Sequence, residues 1–233
     1  MIMAFLKNTY SQEAKINIFT KDGDVMFFSI DEIDSITFST QDESSSFVCG
    51  ASTIVYEGKK YNTVLIGNQC WLKENINIGV RINATIQQSN NGTIEKYCMD
   101  DDEQNCDSYG GLYQWDEVML YQTTEKTKGI CPEGWHVPTV QEFSELNGFI
   151  NSNASALMSV GQDFEDNIAT NSTGFSAEIT GFVKDGNSNS SSFVNLFSST
   201  NKASVYFHSG TSIANWSSNT NEAYSVRCIR DSK

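Results

Sequence analysis

The sequence predicts an α+β fold, in which a small β-hairpin module precedes a larger domain of short twisted antiparallel strands, two short helices and long loops. Three observations carry this expectation. Strand-like alternations bounded by turn residues recur along the chain, only two stretches show helical periodicity, and six cysteines lack metal-site spacing. With 233 residues, 39% hydrophobic and 12% aromatic, the chain has ample material for a core, which excludes global disorder.

Residues 1–40 read as the hairpin module. Lys15-Ile16-Asn17-Ile18-Phe19-Thr20 alternates as a strand does, Lys21-Asp22-Gly23-Asp24 is a turn signal, and Val25-Met26-Phe27-Phe28-Ser29-Ile30 is a second strand. A turn at Asp31–Asp34 leads to Ile36-Thr37-Phe38. An isolated hairpin is marginal in water, so this one is expected to bury a face against another surface. Gln41-Asp42-Glu43-Ser44-Ser45-Ser46 is polar, and residues 41–48 are expected to form a linker.

The main domain is expected over residues 49–233. Thr53–Tyr56, a turn containing Gly58, Tyr61–Ile66, a turn at Gly67-Asn68 and Gln69–Leu72 form a run of strands. The two helical stretches are Tyr113–Tyr121 and Val140–Ile150. In the second, Val140, Phe143, Leu146 and Ile150 share a face, with Thr139 as N-cap and Glu142 in the capping-box position. Residues 151–222 are rich in Asn, Ser, Thr and Gly, interrupted by Phe193–Phe197 and Val205–Phe207, the texture of long loops between short strands. Ala223–Arg230 closes the chain with the alternation of a half-buried strand.

Composition narrows the function. A net charge of −14, from 15 Lys+Arg against 29 Asp+Glu, supplies no clustered cationic face and excludes nucleic acid as a partner. The same charge disfavours anionic membranes. No run approaches the roughly 18 apolar residues of a membrane-spanning helix, so no membrane insertion is expected. Met1–Leu6 lacks the basic flank and apolar length of a signal peptide, and any export signal is expected upstream. The closest cysteines, Cys98 and Cys106, are too widely spaced for a zinc knuckle, and there are only two histidines. Three disulfides among Cys49, Cys70, Cys98, Cys106, Cys131 and Cys228 are the expectation, with connectivity left open, and they imply an oxidising compartment.

Four ordered blocks then resemble a known family. They are Tyr61-Asn62-Thr63-Val64-Leu65-Ile66-Gly67-Asn68-Gln69-Cys70-Trp71-Leu72-Lys73-Glu74-Asn75; Cys98 to Cys106 with Tyr109-Gly110-Gly111-Leu112-Tyr113-Gln114-Trp115; Gly129-Ile130-Cys131-Pro132-Glu133-Gly134-Trp135-His136-Val137-Pro138; and Ser225-Val226-Arg227-Cys228-Ile229-Arg230-Asp231. Together they are similar to the Fibrobacter succinogenes major paralogous domain. Residues 15–38 also look like a segment that precedes such domains in secreted Bacteroidetes-type proteins. The resemblance implies an extracellular domain of C-type-lectin-like and formylglycine-generating-enzyme-like fold, with no established activity. It also implies the pairs Cys49–Cys70, Cys98–Cys106 and Cys131–Cys228. Where the family usually reads Trp-Ser-Ser-Thr, this chain has Phe197-Ser198-Ser199-Thr200, which keeps the aromatic ring and loses the indole N–H.

Each chemically suggestive motif has a structural counterpart reading. His136, between Trp135 and Val137, has the side chain most used for proton transfer, yet no nucleophile with an acid partner lies nearby in sequence. Trp135 is expected in the core, with Pro132 and Pro138 fixing the approach to the helix. Asp100, Asp101 and Asp102 offer hard oxygen ligands for Ca²⁺ but match no EF-hand spacing, and a solvated acidic loop without cofactor is expected. No Glu-Pro-Asn or Trp-Asn-Asp triplet supports calcium-dependent sugar binding. The reactive late cysteine pair of related copper enzymes is absent, since Cys228 stands alone. Region 185–224 mixes aromatic anchors with short amides and hydroxyls, as binding surfaces do, and Tyr206, His208, Asn215, Trp216 and Asn219 are the candidate ligand contacts. The reading is a secreted or cell-surface, non-catalytic binding module, adhesin-like, for a glycan or surface protein. The alternatives are a purely structural domain of a larger surface protein, a retroelement-diversified variable receptor, and a formylglycine-generating-type enzyme.

Overall fold

The structure is a computed structural model, and it describes residues 47–162, 168–219 and 221–231 together with the strands Lys15–Phe19 and Val25–Ser29. The chain divides into two compact units, Met1–Ser46 and Phe47–Lys233. In the first, β1 (Lys15–Phe19) pairs antiparallel with β2 (Val25–Ser29), Lys15 opposite Ser29 and Phe19 opposite Val25. The expected turn at Lys21–Asp24, the Ile36–Phe38 segment and whatever buries the hairpin's apolar side chains lie outside the described residues.

The second unit runs in order through β3 (Thr53–Tyr56), β4 (Lys59–Ile66), β5 (Gln69–Leu72), β6 (Val80–Arg81), β7 (Glu95–Lys96), α1 (Glu103–Tyr109), β8 (Tyr113–Gln114), α2 (Trp115–Val118), β9 (Trp135–His136) and α3 (Val140–Phe149). It continues with β10 (Phe182–Lys184), β11 (Asn187–Asn189), β12 (Val194–Phe197), β13 (Ala203–Phe207), β14 (Ala214–Ser217), β15 (Glu222–Tyr224) and β16 (Ile229–Arg230). One sheet has the order β3-β4-β5-β16-β9, a second β11-β10-β15-β8 and a third β12-β13-β14, all antiparallel, while β6 and β7 make a small parallel pair. This is a mainly β, α+β architecture.

Period-two alternation builds two cores from the first sheet. Tyr61, Cys70 and Leu72 face one apolar cluster with Tyr113, Trp115, Trp135, Phe197 and Val226. Val64, Ile66, Trp71 and Ile229 face another with Phe143, Leu146, Phe175, Val205 and Phe207. Trp71 and Leu72 are consecutive and both fully buried, so the central strand is covered on both faces. The turn from β3 to β4 is Glu57-Gly58, both with positive φ (48° and 75°), which matches the right-handed twist of a hairpin.

Three disulfides join Cys49 to Cys70, Cys98 to Cys106 and Cys131 to Cys228, with Cα separations of 5.8, 5.1 and 5.9 Å. These are the pairs the family resemblance implies.

Several local expectations need correction. Helix α1 starts at Glu103, within the Cys98–Cys106 loop for which the sequence predicts no helix, and runs on to Tyr109. It buries only Cys106 and is held by the Asp102 N-cap, which accepts from the Gln104 N–H at 3.0 Å, and by the Cys98–Cys106 bridge. An apolar stripe never forms there, so periodicity could not reveal it. The helix expected over Tyr113–Tyr121 shrinks to α2, because Tyr113 and Gln114 pair with Tyr224 and Ala223, and Leu120 and Tyr121 turn to positive φ (48° and 60°). Ala223–Arg230 is not one half-buried strand. It splits into β15 and β16, and Ala223 to Ile229 are buried throughout, because Val226 and Cys228 accept from Ile76 and Leu72 of the first sheet's neighbourhood. Phe47, placed in the linker by its sequence surroundings, instead packs on Trp135 (6.1 Å between ring centroids) and under the Arg230 guanidinium (3.5 Å). The Thr139–Glu142 capping box of α3 is present, with Phe143 and Leu146 buried.

Candidate functional site

The third sheet carries most of the sequence-selected binding residues. Val194 and Leu196 on β12 and Val205 and Phe207 on β13 point into the second core, so the odd residues of β12 and the even residues of β13 occupy the other face. Registers place Tyr206 opposite Asn195 and Ala214, and Trp216 opposite Ser204. Four rings therefore meet in a row. Trp216 and Tyr206 lie 6.4 Å apart and Tyr206 and Phe193 5.5 Å apart, both nearly perpendicular, and Phe193 and His208 are 4.9 Å apart. Edge-to-face contacts at these distances are favourable and hold the rings in register. Trp216 is 56% exposed, whereas Phe193, Tyr206 and His208 are half-buried. His208 Nδ1 meets the Ser209 carbonyl at 2.8 Å, and its backbone N–H donates to the Thr211 hydroxyl.

Tyr206, His208 and Trp216 are thus brought together, and two candidates are not. Asn215 pairs with Val205, which assigns it to the opposite face of the sheet from Trp216. Asn219 lies beyond β14 and closes a turn, its backbone N–H donating to Glu222 Oε2 at 2.9 Å. Two residues missed by sequence reading join the face, Phe193 and Asn195. The alternation of Phe193-Val194-Asn195-Leu196-Phe197 contained that signal once the buried set was known.

The acidic residues near α1 do not converge as a ligand set. Asp101 is taken by Arg81 at 2.7 Å and by Asn83 at 2.6 Å, and Asp102 caps α1. Asp100 turns through a positive φ of 56°, and its N–H donates to the Ser188 hydroxyl. Among the described residues, the one group with metal-ligand proximity is Cys98, Glu103 and Cys106, and both of its sulfurs belong to a disulfide.

His136 sits in a buried ionic clasp. Its Nδ1 lies 2.5 Å from Asp231 Oδ1 and its Nε2 3.0 Å from Glu142 Oε1, while Glu142 also accepts from Thr139 and from Lys126 Nζ at 3.1 Å. Burial opposes the imidazolium, but the bonds to the two carboxylates outweigh it and raise the His136 pKa. Burial likewise opposes the Glu142 carboxylate, and the bonds from His136 and Thr139 overcome it, holding its pKa down to about 2. Both ring nitrogens are therefore occupied by structural partners that tie β9, α3 and the chain end together.

The phenyl ring at 197 keeps the packing role anticipated for it. It is fully buried and meets Tyr224 edge-on at 5.1 Å, and the neighbouring indole donor comes from Trp115, whose Nε1 donates to the Ser198 carbonyl at 2.8 Å.

Fold and site together define a disulfide-bonded, mainly β domain with a row of aromatic rings laid on one sheet face. The chain belongs to the Fibrobacter succinogenes major domain family, whose model matches residues 64–230. No curated protein and no solved structure matches the chain.

Proposed function

We propose that the chain is a non-catalytic binding module, secreted or displayed at the cell surface, that engages a glycan through the aromatic face of β12–β14. The observation that carries this reading is Trp216. An indole more than half exposed, set edge-on to Tyr206 on a backbone fixed in a three-stranded sheet, is a stacking platform whose ordering cost is met on folding. Asn195, paired with Tyr206, adds an amide group on the same face.

Three disulfides favour an oxidising, extracellular setting. Pairing of all six cysteines leaves no thiol for formylglycine-generating-type chemistry, and the occupied nitrogens of His136 argue against a proton carrier there. The finer fold reading is C-type-lectin-like. It is supported by the adjacency of an early and a late strand, β5 and β16, with the long-range Cys131–Cys228 bridge close by.

The test is a glycan array with the oxidised chain, followed by titration of the strongest ligand. Trp216→Ala is expected to weaken binding by about 1–4 kcal/mol. Full affinity in that variant would remove the aromatic face from the site.

A further inference from the structure

A separate cavity of about 320 Å³ lies where β4, the segment after β5, the end of α1 and Arg227 meet. Its chemistry departs from that of the chain as a whole. Net charge is −14, yet four cations (Lys59, Lys60, Lys73 and Arg227) line this one space against three carboxylates. Two of the carboxylates are already engaged. Glu74 accepts from the Asn62 backbone and side-chain N–H groups at 2.7 and 2.6 Å, and Asp107 pairs with Lys59 at 2.5 Å. The third, Glu178, is held above the usual carboxylate range by burial, with Arg227 pulling in the opposite sense.

Arg227 is the unusual wall. It is 2% exposed, and its guanidinium donates to Asn75 Oδ1 from Nε and Nη2 (3.1 and 2.8 Å) and to the carbonyls of Phe175 and Ser176 (2.5 and 3.5 Å). Its face lies 4.4 Å from the Phe175 ring. All these partners are neutral, and among the described residues no carboxylate lies within ion-pair distance of it. Glu74 and Glu178 act on it only through space, so a guanidinium hydrogen-bonded solely to neutral dipoles keeps part of its positive potential, and at a cavity wall that potential attracts an anion.

We infer that this cavity binds a carboxylate-bearing sugar, a hexuronate. Its carboxylate is drawn toward Arg227 and the ammonium groups of Lys60 and Lys73. Ser108 and Ser176 offer hydroxyl partners, and Tyr109, 40% exposed at the rim, offers a ring face to a pyranose. The volume lies at the lower end of ligand cavities, roughly 300 Å³ upward, which suits a single sugar ring. The site shares no residue with the β12–β14 face, so the two stand or fall separately.

Calorimetric titration of the oxidised full chain with glucuronate, with glucose as neutral counterpart and acetate as bare carboxylate, tests the inference. Glucuronate is expected to bind about tenfold or more tightly than either, the scale of one charge-assisted hydrogen bond. Lys60→Gln combined with Lys73→Gln should lower glucuronate affinity about tenfold by the same reasoning, while Trp216→Ala leaves it unchanged. Equal affinity for glucuronate and glucose, or no saturable binding of glucuronate, overturns the site. Acetate binding as tightly as glucuronate overturns its assignment to a sugar.

Discussion

Two regions of the domain use aromatic residues in opposite ways. Around the Cys131–Cys228 bridge and the first sheet, Trp71, Trp115 and Trp135 are 0–3% exposed, and the surrounding polar groups are absorbed into caps, clasps and ladders. On the β12–β14 sheet, Trp216 stands 56% exposed, and its neighbours are half-buried rings and short amides. The same residue type therefore does different work. In the frame it fills volume and fixes the backbone, while on the late sheet it presents surface that folding alone does not require. Gly110 shows how tight the frame is. Its φ is 90°, and a Cβ there would come within 2.6 Å of the Asn75 side chain, so the turn after α1 admits only glycine without displacement.

The sharpest break between the regions should come from the longest staple. Cys131→Ser opens a bridge spanning 97 residues of sequence, against 8 for Cys98–Cys106. Loop-closure entropy puts the losses at about 4–5 and about 2–3 kcal/mol respectively. Urea denaturation of the two variants measures the difference, and equal losses would mean that the long bridge does not organise the frame.

Next in size, Trp71→Ala should cost about 3–5 kcal/mol of stability, since it empties a fully buried site against Phe143 and Phe175. A loss below about 1 kcal/mol would show that the second core repacks, contrary to its closed interior.

The ionic clasp gives a smaller effect that depends on pH. His136 has a raised folded pKa, so its contribution is complete below its ordinary value of about 6.5 and fades as pH rises through the folded value. Glu142 is depressed to about 2, so its contribution is present above its ordinary 4.5 and fades as pH falls toward 2. Thermal melts should therefore show greatest stability from these groups between about pH 4.5 and 6.5. His136→Gln should flatten the decline on the basic side, and an unchanged profile would show that the clasp is not linked to folding.

The smallest stability effect belongs to the late sheet. Trp216→Ala is expected to shift the melting midpoint by no more than a few degrees, the scale of a surface substitution. A drop comparable with that of Trp71→Ala would make Trp216 a core residue and erase the contrast between the regions.

Short-range physics made much of the frame legible in the sequence. The strand–turn–strand run over Thr53–Leu72, the Thr139–Glu142 capping box and an even set of cysteines without metal spacing were readable without knowledge of the fold, and each appears in the structure. The aromatic and amide content of the late loops likewise marked Tyr206, His208 and Trp216. What only the tertiary structure decided was the side on which each residue would fall. Tyr113-Gln114 became a strand because β15 lay beside it, α1 formed because a cap and a bridge replaced an apolar stripe, and Asn215 parted from Trp216 through pairing with Val205. The cavity beside Arg227 joins segments more than a hundred residues apart, from Lys59 to Glu178 and Arg227 itself. Local propensity sets which elements can form, but the facing of a strand and the lining of a cavity depend on partners distant in the chain, and no local pattern encodes them.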